Sequence, residues 1–146
     1  MTADHAINNP ADFAWLINGF VEHVPGVTHA LILSTDGFPL TASTSVSSDG
    51  AEQLAAIASG LLGLARNSAA LFGKGSCELI MIRLSRGYFL FMAMGENAGL
   101  AVLTSAHCDM KGVAYEMTQF VDKAAEALTP KARADLRRVI TARRAD

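Results

Sequence analysis

The order of hydrophobic periods along the chain predicts an α/β (α+β) sandwich, one five-stranded antiparallel sheet with helices on both faces, in the order α-β-β-α-β-β-β-α. Three observations carry this expectation. Apolar residues recur at helical spacing in separate stretches before, between and after the strand-like runs. The runs themselves are short and apolar, as strands are. Within each group they are joined by Asp36-Gly37, by Ser85-Arg86-Gly87 and by Gly95-Glu96-Asn97-Ala98, links that suit hairpins and are too short for the crossovers of a parallel sheet. A dinucleotide-binding fold would instead alternate single strands with single helices.

Asn9-Pro10 is a start signal for the first helix: asparagine caps free backbone N–H groups and proline is preset for the first helical position. Phe13, Leu16, Ile17, Phe20 and Val24 follow at helical spacing, and the pattern stops where Pro25 disfavours helix in the residue before it, which gives a helix over 10–24. Residues 27–34 form an apolar run, Asp36-Gly37 makes the turn and residues 38–43 alternate weakly, with Pro39 directing this second strand to a sheet edge. From Asp49 the period becomes helical again. Asp49 and Glu52 have capping-box spacing, and Leu54, Ile57, Ala58, Leu61, Leu64, Ala65, Ser68 and Phe72 form a stripe expected to face the core, in a long helix over 49–73. Three strands follow at about 77–84, 88–94 and 99–104. Val113, Met117, Phe120, Val121, Ala124 and Leu128 then mark a helix starting at Asp109, and Thr129-Pro130 caps a short basic fourth one.

A chain of 146 residues closes one sizeable core more comfortably than two. Half of its residues are hydrophobic and 18% are charged, against about a quarter in ordinary soluble domains, so apolar surface is left over for a partner. The first ten residues lack the basic start and apolar run of a secretory signal. In the richest apolar region, residues 79–103, Arg83, Arg86 and Glu96 interrupt any spanning segment. The expectation is therefore a cytoplasmic protein without direct membrane insertion. Recruitment to a membrane-associated complex is left open.

Chemistry has little to work with. Cys77 and Cys108 stand 31 positions apart with no CxxC pair, which speaks against a zinc knuckle, a redox motif or a disulfide framework. His5, His23, His29 and His107 belong to no nucleophile motif. His107-Cys108-Asp109 has metal-ligand residue types, yet consecutive residues point different ways and no second pair has the expected spacing. Gly73-Lys74-Gly75-Ser76 holds a fragment of a phosphate loop but follows a helix where such a loop would open one. No catalytic residue, cofactor site or metal site is expected.

The long helix is the informative segment. Thirteen residues between Glu52 and Arg66 carry no charge, and the side opposite the expected core stripe holds Ala56, Ser59, Gly60, Gly63 and Ala70. Glycine inside a helix costs about 1 kcal/mol relative to alanine, which makes sense where another backbone comes close. The alternative is a helix buried within its own monomer. The next strand, with Leu79, Met81 and Arg83 in an otherwise apolar run, would invite pairing with another chain if left at a sheet edge. The two features together suggest a homodimer.

The C-terminus is set apart by charge. Lys131, Arg133, Arg137, Arg138, Arg143 and Arg144 face only Asp135 and Asp146 past residue 128, so the tail is +4 (six minus two) and residues 1–129 are −6 (six minus twelve). The arginines mark either a partner-binding tail or a solvated end. Nucleic acid is not expected, because no aromatic residue interleaves with the bases and the whole chain is acidic.

Val24-Pro25-Gly26-Val27 leading into an apolar strand, Asp36-Gly37 at the first hairpin, a long small-residue helix, a meander and a closing helix together resemble the roadblock/dynein light chain family, over about residues 11–128. The resemblance divides the chain into an N-terminal tail (1–10), a roadblock-like domain (11–128) and a basic extension (129–146). It implies a profilin- or longin-like sandwich that homodimerises through its second helix and third strand, without catalytic residues. It implies as partners a small Ras-like GTPase and, for the actinobacterial type, a sensor-kinase-like protein. The Arg-rich extension departs from many relatives. A small-ligand sensor module of the same sandwich type is the alternative reading.

Overall fold

A computed structural model describes residues 6–145, Arg144 and Ala145 by backbone alone. His5 and half of the N-terminal tail lie outside the described residues. The elements run α1 (Pro10–His23), β1 (Val27–Ser34), β2 (Pro39–Ala42), α2 (Ser48–Leu71), β3 (Leu79–Leu84), β4 (Gly87–Met94), β5 (Ala98–Ser105), α3 (Met110–Ala124) and α4 (Pro130–Ala145). The five strands form one sheet in the order β2-β1-β5-β4-β3, antiparallel at every pairing. The expected sandwich is present, with β2 and β3 at its two edges.

Local chemistry explains the boundaries. Asn9 caps α1 by accepting from the Asp12 N–H at 3.1 Å, while the Asp12 carboxylate accepts from the Asn9 N–H at 3.2 Å, a reciprocal box around Pro10. The cap of α2 differs from the expected Asp49–Glu52 pair: Ser47 is the N-cap and accepts from the Gly50 N–H at 3.0 Å. A hydroxyl one residue before the helix reaches the third N–H, which Asp49, already inside the first turn, cannot do. Gly73 takes a positive φ of 64° just past the end of α2, the left-handed conformation that stops a helix. Thr129 caps α4 through the Ala132 N–H.

The two sheet faces are filled differently. On one, Phe13, Ile17 and Phe20 of α1 and Val113, Met117 and Phe120 of α3 pack with Ala30, Ile32, Leu90, Leu100 and Val102. On the other, Leu31, Leu33, Phe89, Phe91 and Ala101 meet Ala51, Ala55, Ala58 and Leu62 of α2. Leu136 of α4 joins the first cluster and is 2% exposed. The packed unit therefore continues past the boundary drawn at residue 128.

Candidate interaction surface

The stripe expected to bury α2 is not the one it buries. Ala51, Ala55, Ala58 and Leu62 lie against the sheet, whereas Ile57 (56%), Leu64 (69%), Leu71 (76%) and Phe72 (68%) are exposed; only Ala58 of the expected stripe is fully buried. The cause lies in the sheet. Its α2 face is already occupied by two phenylalanines and two leucines, so the helix reaches close contact chiefly through alanine methyl groups, with Leu62 the one large side chain fully buried among them. Helical period places bulky residues inside by default; here they are turned outward.

Ala56, Gly60, Gly63 and Ala70 are exposed on the side away from the sheet, as expected. A Cβ added at Gly60 or Gly63 would meet nothing within 4 Å, so no packing within the monomer accounts for either glycine. Ser59 has another role: half-buried, it donates through Oγ to the Thr35 carbonyl at 2.9 Å and ties α2 to the first hairpin turn. Arg66 ends the uncharged stretch by donating to the Glu96 carbonyl at 3.3 Å. By length and composition α2 is apolar enough to cross a membrane, a property that the charges interrupting residues 79–103 do not address.

β3 is the open edge beside this helix. It pairs only with β4, and the register sets Ile80 opposite Phe91 and Ile82 opposite Phe89, on the α2 face. Met81 lies opposite Leu90 and Leu79 opposite Met92, on the α1/α3 face, and Arg83 shares their parity. Leu79, Met81 and Arg83 therefore do not share a face with α2. The residues that do are Ile80, Ile82 and Leu84. Period-two counting alone identifies two faces; the pairing register decides which one adjoins the helix.

The C-terminal arginines are partly spent on the chain itself. Arg133 donates to the Leu128 carbonyl at 3.0 Å, and the Arg137 guanidinium stacks 4.0 Å from the centre of the Phe38 ring. Asp135 accepts from Lys131 at 3.1 Å and Arg138 at 2.9 Å, and these two donors, Lys131 foremost, hold its carboxyl below the usual aspartate range. Arg143 lines a cleft beside α1; the Arg144 side chain lies outside the described residues.

Elsewhere, polar groups are locally satisfied. His23 bonds the Gly19 carbonyl, His29 the Thr28 hydroxyl, and Cys108 donates to the Thr104 hydroxyl at 3.2 Å. Among the described residues no three His, Cys, Asp or Glu side chains converge as a metal site.

With this geometry in view, comparison with known proteins is decisive for the family. The profile of the Roadblock/LC7 domain matches residues 13–104, from α1 through β5. The chain belongs to the Roadblock/LC7 family. It is 32% identical to a Roadblock/LC7 domain from Streptomyces avermitilis, with a TM-score of 0.75, over 79% of this chain and 96% of that one. It also superposes on Myxococcus xanthus MglB (TM-score 0.72, 11% identity, 77% and 91% covered) and on the gliding protein MglB of Thermus thermophilus (0.72, 16%, 84% and 93%). At those identities the two show the shared fold. No curated protein sequence matches the chain significantly. The matched Roadblock/LC7 span ends before α3, so α4 and its arginines lie outside it.

Proposed function

We propose that this Roadblock/LC7 protein is a non-catalytic, cytoplasmic adaptor that homodimerises through the outer face of α2 and the β3 edge, and in that form holds a small Ras-like GTPase in one state. One observation carries the dimer: Ile57, Leu64, Leu71 and Phe72 are exposed on the helix that leads into β3, itself an open apolar edge. Monomeric proteins rarely expose a continuous apolar patch of that kind. A second copy presenting the same surface covers both features at once, within a standard interface of about 1,600 Å². The GTPase as partner rests on what the family resemblance implies, with a sensor-kinase-like protein as a further member of the complex. A sensor module would need polar groups awaiting a ligand, whereas among the described residues every buried side-chain nitrogen and oxygen has a hydrogen-bond partner.

The expected mass by light scattering is twice 15.4 kDa; a monomer at all concentrations, or a chain that sediments with liposomes through α2, defeats the dimer. Gly63→Arg separates assembly from folding. Arginine is the better helix former and Gly63 faces open space, so the monomer should hold or gain stability while dimer dissociation rises at least about tenfold, which is 1.4 kcal/mol. Co-purification from the native cell should bring down a small GTPase, and calorimetry should show that the isolated chain binds no GTP tightly. Micromolar GTP binding by the chain alone rejects the non-catalytic adaptor.

A further inference from the structure

The sheet has two edges, and the chain treats them in opposite ways. β3 is bare, whereas β2 has Pro39, Leu40 and Thr41 buried. What lies along β2 is α4, for which β2 is the principal neighbour. Two clefts locate the helix. In one, of about 630 Å³, Leu136, Ile140 and Arg143 face Pro10 and Ala14 of α1 across Leu40 and Ala42. In the other, of about 450 Å³, Arg137, Ile140 and Thr141 face Ser48 and Glu52 of α2 across Phe38 and Pro39. A helix with α1 on one flank, α2 on the other and β2 between them runs along the open side of that strand.

Its attachment is slight. Among its described side chains only Leu136 is fully buried, Val139 is 42% exposed, and the ion pairs of Asp135 with Lys131 and Arg138 lie within the helix and do not fasten it to the body. Half-buried Ala132 against the first core cluster, the Arg137–Phe38 stack and the flanking clefts add to the seat. The strand beneath has no charged residue between Gly37 and Ser48, so its own protection against pairing is its four-residue length, Pro39 at its start and the bulge in its register with β1, and α4 supplies the cover that charge does not.

We propose that α4 is a removable cover over a second strand-pairing edge, and that the occupant of this edge when α4 lifts is the β2 strand of another copy. Two identical edges pair antiparallel about a two-fold axis. A docked α4 leaves β3 as the one open edge and closes the assembly; an undocked α4 makes each subunit two-ended, so the assembly grows. For the starting count of subunits this rests on the dimer reading, but the edge itself does not.

The test uses the full chain with Leu136→Asp, which places a carboxylate where α4 is seated. Its mass should be at least double that of the unaltered chain at equal concentration. Adding Ala42→Pro should restore the original mass. The Ser43 N–H bonds the Ala30 carbonyl and successive N–H groups alternate in direction, so the Ala42 N–H points outward and proline removes a donor to the new partner while sparing the pairing with β1. Ala42→Pro alone should leave mass and fold unchanged. An unaltered mass in the Leu136→Asp chain overturns the proposal, as does growth that Ala42→Pro fails to reverse, since that is unspecific association of uncovered apolar surface. If the aspartate variant does not fold, the milder Leu136→Ala is read by the same two outcomes. A monomeric unaltered chain defeats the dimer reading while the edge proposal still stands or falls on a reversible step from one copy to two.

Discussion

The two faces of the sheet solve the same problem with opposite materials. Toward α1 and α3 the layer is built from large side chains, and the Phe20 and Phe120 rings meet edge to face with centroids 5.3 Å apart. Toward α2 most of the large side chains belong to the sheet, and the helix contributes three alanines and Leu62, with Leu54 and Leu61 half-buried beside them. The first arrangement interdigitates two sets of bulky groups and stabilises the monomer. The second brings the helix close, buries little of it and turns its own large residues to the outside. On the proposed reading, folding stability and assembly are thus assigned to different faces of one sheet.

The largest test of this division is Phe120→Ala. Removing a buried ring that bridges α1 and α3 should cost about 3–5 kcal/mol in denaturant unfolding, and should do so at any protein concentration. A loss that vanishes as the dimer is diluted would show that the two faces are not separable. Next comes Ala58→Leu, which puts a bulky side chain where α2 rests on the sheet. Overpacking should cost about 1–3 kcal/mol and, by tilting the helix, weaken the dimer as well. A variant with lowered stability and intact dimerisation would mean that the outer surface tolerates a displaced helix.

Most of the architecture was legible in the sequence because turn chemistry and hydrophobic period agree there. Asn9-Pro10, Asp36-Gly37 and Gly73 each mark an element end that the structure keeps, and Pro39 places its strand at an edge. The rotation of α2 was not legible. Its stripe of Ile57, Leu64 and Phe72 has the helical period of a core, and the decision that alanines pack inward is made by Phe89 and Phe91, which follow later in the chain and reach the helix only once the sheet has formed. The β3 residues were half legible for a related reason: alternation separates Leu79 and Met81 from Ile80 and Ile82, and only pairing with β4 tells which set adjoins the helix. The docking of α4 was hidden behind its charge, since Leu136, Val139 and Ile140 among five arginines give a weak amphipathic signal.

The smallest expected effect concerns acid and α4. The carboxyl of Asp135 is held below its ordinary value by hydrogen bonds from Lys131 and then Arg138. A depressed folded-state value means that the contribution to helix stability is fully present above the ordinary aspartate value of about 3.9 and is lost as pH falls through the lowered one. Because the site is exposed, the change should be confined to faster amide exchange in α4 below that range, with α1 and α3 unaffected. Equal loosening of all three helices would place the acid-sensitive group elsewhere.

A stripe of alanines with one buried leucine, Leu62, gives a helix few side-chain contacts that fix its position along its own axis. In this chain the position is also set by hydrogen bonds from the middle and last third of the helix: Ser59 is hooked to the Thr35 carbonyl, Arg66 to the Glu96 carbonyl, and the Thr35 N–H to the Asn97 carbonyl at 3.0 Å, so the helix is keyed to two neighbouring turns that are also keyed to each other. Ile57, Leu64 and Phe72 accordingly stand at set heights on the outer side of the helix. In the proposed dimer, two copies meeting face to face would inherit a single alignment from a pair of hydrogen bonds that neither copy presents to the other.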